Sequence, residues 1–337
     1  MRKTIILTNN VQEGEKLRKS LMSLDERYAS LPCYTKTDVE LMASELTECE
    51  YIFSTWYMPL FTELEISKYL PSLKCVFYAA GTVKYFAGPF LNRGVRVFTA
   101  ASANGIPVAE FTASQIVLAG KGYFQAQRAY RWPIWRRGFQ RSRGYAERKF
   151  GNYGAKVGII GCGAIGSKVA DLLKSYKVSV YAYDPYLSEE RATALGVRKV
   201  SLEELFKTCD VVSNHLPDIP ETRWMINEAL LSSMKPTATF INTGRGAQVD
   251  EKSLNKVLKR NKDMCALLDV TSHEPLFPWS PLYWRKNVFL TPHIAGSMSE
   301  EYGRMVEYMV MAYNDTLAGR KNTCEICIEE MTRQSTH

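Results

Sequence analysis

Four groups with acid–base or anion-binding chemistry stand at or just beyond the ends of apolar runs in this 337-residue chain. ATFINT runs into Gly244 and Arg245, MCALLDV presents Asp269 with Glu274 five positions on, and NVFLTPH leads to His293. In open α/β sheets ligands bind outside the carboxyl ends of the strands, so such positions are the ones to read for chemistry. An arginine there can hold a carboxylate bidentately and polarise the adjacent carbonyl. A histidine can give its proton to a developing alkoxide or take one from an alcohol, and a glutamate paired with it favours the protonated ring. These types together suit hydride transfer between a nicotinamide and a 2-keto or 2-hydroxy acid. Singly, each also serves as a surface cation, a turn or a structural hydrogen-bonding ring; their joint arrival at one sheet edge is what argues for a site.

The partner of that edge is Val157 to Asp184, VGIIGCGAIGSKVADLLKSYKVSVYAYD. A short apolar run reads as a buried parallel strand, three glycines follow, helical periodicity appears at Val169, Leu172 and Leu173, and a second strand ends on an acid. Gly161 permits the tight turn, Gly163 lets the backbone approach a pyrophosphate, and Gly166 lets helix and strand pack closely. Asp184, eighteen positions after Gly166, is placed to accept hydrogen bonds from the adenosine ribose and to repel a 2′-phosphate. The expected cofactor is NAD rather than NADP.

The elements that must carry these groups alternate along the chain. KTIILT, YIFS, KCVFYAA and VRVFTA read as strands separated by helical stretches, so residues 1–101 form one small α/β domain. SANGIP, with Gly105 and Pro107, reads as a hinge. A long apolar helix, VAEFTASQIVLAGKGYF, and an aperiodic basic segment then lead into the glycine loop, and strands resume at DVVSNHL. The last long helix, about 299–318, lies beyond the final strand and can pack back on the first domain. The expected fold is α/β, with two Rossmann-like doubly wound parallel-sheet domains. Residues 1–101 and 299–337 make a discontinuous substrate domain, and 102–298 a NAD-binding domain with an inter-domain helix and a basic arm at about 123–150.

The net charge of +8 is concentrated: between Arg128 and Lys149 eight basic residues face one acid, Glu147. Arginines there alternate with Tyr130, Trp132, Trp135 and Phe139, a pattern that suits either a buried subunit interface or a nucleic-acid surface. The eight cysteines are scattered in apolar settings, as for reduced thiols. Only Cys324 and Cys327 form a C-x-x-C, which reads as a tail strand and not as a metal site. MRKTIILTNN lacks a signal peptide's apolar core and no stretch approaches a membrane span, so the expected location is the cytoplasm.

GCGAIGSKVA with YDP, INTGRGAQVDEKSL, LDVTSHEPL and LTPHIAG resemble the successive signatures of the D-isomer-specific 2-hydroxyacid dehydrogenases, and VAEFTASQIVLA resembles that family's helix between domains. The match covers about 104–296 closely. It implies Arg245 as substrate binder, and Glu274 and His293 as the pair that handles the proton, with His293 also touching substrate. It implies Ala164 and Ile165 along the pyrophosphate, Asp269 at the nicotinamide carboxamide, and Thr243 and Gly296 on the cofactor side. His215, in SNHLPDIPET, matches a cofactor-side histidine, with a structural role equally open. The basic segment corresponds to the arm that embraces a second subunit, which favours a homodimer through residues 107–150 over nucleic-acid contact.

One stretch departs from the family. Where it commonly carries G-x-G-x-D-x-x-D, this chain reads AAGTVKYF, with Lys84 and Phe86 at the aspartate end. Amides around Gly81 and Thr82 can still bind a carboxylate; Lys84 would favour a second anionic group on the substrate, unless it is simply solvated. Trp56, in FSTWYMPLF, is a candidate pocket wall or a core residue. The expected function is NAD-dependent interconversion of a small anionic 2-keto acid and its D-2-hydroxy acid. The alternatives are a catalytically weak dinucleotide-sensing protein on the same scaffold, whose mark would be loss of the Arg245, Glu274 and His293 set, and a nucleic-acid-binding protein that uses the arm.

Overall fold

The computed structural model describes residues 3–131 and 135–332, and for 135–137 the backbone only. The chain forms two compact units, Met1–Asn104 with Ser297–His337, and Gly105–Gly296.

The first unit is built on β1 (Thr4–Leu7), β2 (Cys33–Tyr34), β3 (Tyr51–Ser54), β4 (Cys75–Tyr78) and β5 (Arg96–Thr99). They lie in the order β2-β1-β3-β4-β5 and all pair in parallel. Both faces are covered, which is why these strands are apolar at consecutive positions. Ile5, Ile52, Val76 and Val97 pack on one side. Ile6, Phe53, Phe77 and Phe98 pack on the other, with Phe77 and Phe98 rings 4.9 Å apart. The helix Glu301–Leu317 buries Tyr302, Met305, Val306, Met309 and Ala312 on that second face. This helical spacing makes the unit discontinuous in sequence.

The second unit contains β6 (Lys156–Ile160), β7 (Ser179–Tyr183), β8 (Arg198–Lys199), β9 (Val211–Asn214), β10 (Thr239–Asn242), β11 (Cys265–Leu268) and β12 (Val288–Leu290). Their order is β8-β7-β6-β9-β10-β11-β12, again all parallel. Strand order reverses between β6 and β9, and that is where a doubly wound sheet opens a ligand crevice. The tail strand expected around Cys324 is β13 (Glu325–Ile326), which joins β5 antiparallel.

Three local readings change. SANGIP, read as a hinge, lies within one helix, Ala101–Gly120, which contains Pro107, and the boundary between units falls inside it at Asn104 and Gly105. Proline removes one helical donor, and this twenty-residue helix continues past it. The aperiodic basic segment is largely helical, as Tyr123–Tyr130 and Trp135–Glu147. Trp132 lies outside the described residues. β2 and β8 went unread because two-residue edge strands carry no periodicity.

Candidate active site

The glycine loop follows β6 at the reversal point. Gly161 has φ +86°, a left-handed backbone that other residues rarely adopt, and its amide donates to Tyr183 O at 2.8 Å. A Cβ on Gly166 would sit 2.0 Å from Gly161 O, so only glycine lets the helix Ala164–Leu173 start against the strand end. A Cβ on Gly163 would meet nothing within 4 Å, and no side chain caps this helix. The first-turn amides of Ala164 and Ile165 therefore face an open space, the arrangement that receives a phosphate at a helix N-terminus.

Asp184 closes β7. Its carboxylate accepts from Cys162 N at 2.7 Å and from Tyr186 N at 2.8 Å, which fixes it beside the glycine loop. Arg191 donates to Cys162 O and Ser167 Oγ, both at 3.2 Å, and ties the loop from the other side. His215 follows β9 directly across the reversal point, with its amide on Ile160 O. Its Nε2 shares a hydrogen bond with Ser213 Oγ at 2.9 Å, while its Nδ1 is buried without a partner among the described residues. Desolvation lowers its pKa to about 4, so the ring is neutral at physiological pH.

Arg245 leaves the end of β10 on a loop held by buried amides. Asn214 Nδ2 donates to Asn242 Oδ1 (3.0 Å) and Gln248 Oε1 (2.8 Å), Gln248 Oε1 also accepts from Arg245 N, and Asn242 Nδ2 donates to Arg245 O. Burial lowers the guanidinium's pKa, opposed by the nearby Glu274 and Asp218 carboxylates. Thr243 pairs its hydroxyl with Thr112 at 2.8 Å, anchoring the same loop to the long helix. A Cβ on Gly246 would fall 1.9 Å from Thr271 C, so this loop lies directly on the turn that carries Glu274.

Glu274 and His293 meet there. Glu274 Oε2 contacts His293 Nδ1 at 2.6 Å, and Glu274 Oε1 accepts from Thr271 N at 3.2 Å. His293 has φ +54°, a strained conformation for a non-glycine residue, and its amide is held by Asp269 O. The Asp269 carboxylate accepts from Thr291 Oγ1 (2.6 Å), Ile294 N (2.9 Å) and Ala295 N (2.9 Å). This residue, read from sequence as a cofactor contact, thus builds the loop that presents the histidine and ends on Gly296. A cavity of about 470 Å³ adjoins the pair, lined by Thr271, Glu274, Leu276, Tyr283, Leu290 and His293.

The residues read as a substrate face lie in the first unit. Thr99 Oγ1 donates to Gly81 O, and Lys84 N donates to Thr82 Oγ1 at 3.4 Å. Lys84 Nζ reaches Thr332 O at 3.2 Å. Trp56 is half-buried, stacked on Tyr302 at 5.6 Å with Lys16 above it at 5.6 Å.

Sequence reading missed the supporting polar groups. Asn214, Asn242 and Gln248 carried a usable signal, since buried amides at the ends of apolar strands need partners. Asp218, Thr271, Thr291 and Arg191 carried none short of the fold.

Residues 115–295 match the family described as D-isomer specific 2-hydroxyacid dehydrogenase, NAD binding domain. This chain belongs to that family. A glyoxylate reductase from Korarchaeum cryptofilum is 32% identical to this family member over 271 residues, 80% of each protein. A D-3-phosphoglycerate dehydrogenase from Archaeoglobus fulgidus is 36% identical over 208 residues, 62% of this chain. The match spans only 38% of that relative's length. Across 96% of this chain and 99% of the other, the fold agrees with the NAD-complexed form of a D-isomer specific 2-hydroxyacid dehydrogenase from Lactobacillus delbrueckii ssp. bulgaricus (TM-score 0.75, 21% identity). In this dehydrogenase family member the NAD-binding domain is the second unit. Its residues fit the cofactor: an uncapped helix start, open space at Gly163, a carboxylate after β7 and an orphaned ring nitrogen at His215. Among the described residues, no helix is long and apolar enough to cross a membrane.

Proposed function

We propose that the protein is an NAD-dependent oxidoreductase that interconverts a small 2-keto acid and its D-2-hydroxy acid. The observation that carries this reading is the 2.6 Å Glu274–His293 pair on a loop fixed by Asp269, in the same unit as the glycine loop. Bound nicotinamide supplies or accepts the hydride. His293 Nδ1 is held by Glu274, which leaves Nε2 to give a proton to the carbonyl oxygen in reduction and to take it back in oxidation. Arg245, cationic and partly shielded from water, binds the substrate carboxylate and stabilises charge building on the adjacent oxygen. Asp269 and Thr243 act by holding the His293 and Arg245 loops; Gly296 closes the former.

A dinucleotide-sensing role is disfavoured by the full Arg245, Glu274 and His293 set. On the first unit, Gly81 and Thr82 would offer amides to the substrate carboxylate. Lys84 would select a second anionic group only if it leaves the Thr332 carbonyl, and Trp56 would shape the site through its stack with Tyr302. The exposed rings of Tyr123, Tyr130 and Phe139 support a homodimer formed through the 107–150 region, and eight unpaired cysteines suit the reducing cytoplasm. The test is NADH and NADPH oxidation against a panel of 2-keto acids. Turnover on at least one acid, reduced about 10²- to 10⁴-fold in His293→Ala with NADH affinity retained, is expected. NADH binding with no turnover on any acid would replace the enzyme by the sensing protein.

A further inference from the structure

The amino-terminal ends of β11 and β12 carry a second concavity, away from the catalytic groups. Asp269, Glu274 and His293 follow these strands, whereas Asn287 and the end of the helix Glu251–Arg260 precede them. Four residues of β11 separate the two ends by about 13 Å. The groove there has a volume of about 830 Å³ and takes six cations: Arg128, Arg141, Lys259, Lys262, Arg285 and Lys286. Tyr145 and Trp284 also line it, and Trp284 is 79% exposed.

The pairing of charges around this groove is selective. On the same elements, Arg143 pairs with Glu147, Arg148 with Asp263, and Lys256 and Arg260 with Glu228. Among the described residues, none of the six cations that line the groove makes an ion pair. Two of them are nevertheless held in place by neutral acceptors. Arg128 Nη1 donates to Arg285 O at 3.0 Å, and Arg285 Nε to Asn255 Oδ1 at 2.7 Å. Beneath them Asn287 Nδ2 is fixed on Leu258 O, Asn261 O and Met264 O, so the floor is rigid. Six like charges around one concavity repel each other and lower stability unless an anion joins them. Arg128, Arg141 and Tyr145 belong to the 107–150 region proposed above for the homodimer, whereas Lys259 and Lys262 on the opposite wall lie outside it.

We infer that this groove binds a polyphosphate-bearing anion, with the three arginines gripping phosphate oxygens bidentately and the lysines adding charge. Trp284 is placed to stack a base if the phosphates come from a nucleotide. The test is calorimetric titration of the full-length protein, saturated with NADH so that the dinucleotide site is filled, using inorganic tripolyphosphate and, separately, magnesium-free ATP. One saturable site, weakening as salt rises, is expected. Lys259→Glu with Lys262→Glu should weaken it at least about tenfold while NADH affinity stays unchanged and the unfolding temperature of the free protein is held or raised. Tighter binding of ATP, lost in Trp284→Ala, assigns a nucleotide as the source; equal affinities assign the phosphate chain alone. Absence of saturable binding for both anions, binding indifferent to the double reversal, or binding of a single-stranded oligonucleotide alone would overturn the inference.

Discussion

At the reversal point of the first sheet, between β1 and β3, the helix that follows β1 is closed by its own neighbour: the Asn10 side chain accepts the amide of Glu13. The loops are also stitched together, with Thr8 Oγ1 donating to Trp56 O at 2.9 Å and Asn9 N to Tyr57 O at 2.9 Å. At the corresponding point of the second sheet, between β6 and β9, the helix begins at Gly163 with no side-chain cap and open space before it. Both points have parallel strands, a following helix and the same dipole direction. What differs is whether the chain itself satisfies the first-turn amides. Where it does, the reversal point is structural; where a glycine withholds the cap, the amides await an anion from outside.

The sharpest way to break this contrast is to close the open helix. Gly163→Asp supplies a capping carboxylate where a Cβ meets no atom, and it should lower NADH affinity by about a hundredfold through repulsion of the pyrophosphate, with the unfolding temperature held or raised. Fluorescence titration with NADH checks it; unchanged affinity would dissolve the contrast. Next comes the pH response of the same point. The His215 pKa lies near 4 in the folded chain against an ordinary 6.5, so the unfolded chain takes up the proton first. Stability is therefore full above about pH 6.5 and falls as pH drops towards 4, by about 3 kcal/mol. Urea unfolding across that window should show a shallower acid decline in His215→Asn. Asp184→Ser should shift the ratio of NADPH to NADH affinity about tenfold towards NADPH, because a carboxylate beside the ribose is lost. The smallest effect belongs to the closed helix. Asn10→Ala should cost about 1 kcal/mol in urea unfolding and leave NADH affinity untouched.

Much of the second unit was legible because its signals are local. A glycine loop between a strand and a helix must lie on adjacent residues, and polar residues ending apolar strands announce a sheet edge. The basic segment was legible as charge but not as structure. Its helices Tyr123–Tyr130 and Trp135–Glu147 draw part of their order from distant acceptors, such as Asp263 O for Gln125 Nε2 and Arg285 O for Arg128 Nη1. The first unit's Gly81 loop was the least legible. Lys84 finds the Thr332 carbonyl 248 residues away, a contact no window of sequence contains.

By itself the sequence determined the two-sheet architecture, the cofactor loop and the position of Arg245, Glu274 and His293 just beyond strand ends, since strand ends and periodicity are properties of short segments. Only the tertiary structure decided what each of those groups touches. It gave the Asp269 carboxylate to the His293 loop, set Glu274 Oε2 2.6 Å from His293 Nδ1, and gathered around a groove at the opposite strand ends six cations that make no ion pair among the described residues. The physical reason is that charge pairing and burial depend on distances across elements far apart in the chain, which the order of residues constrains but does not specify.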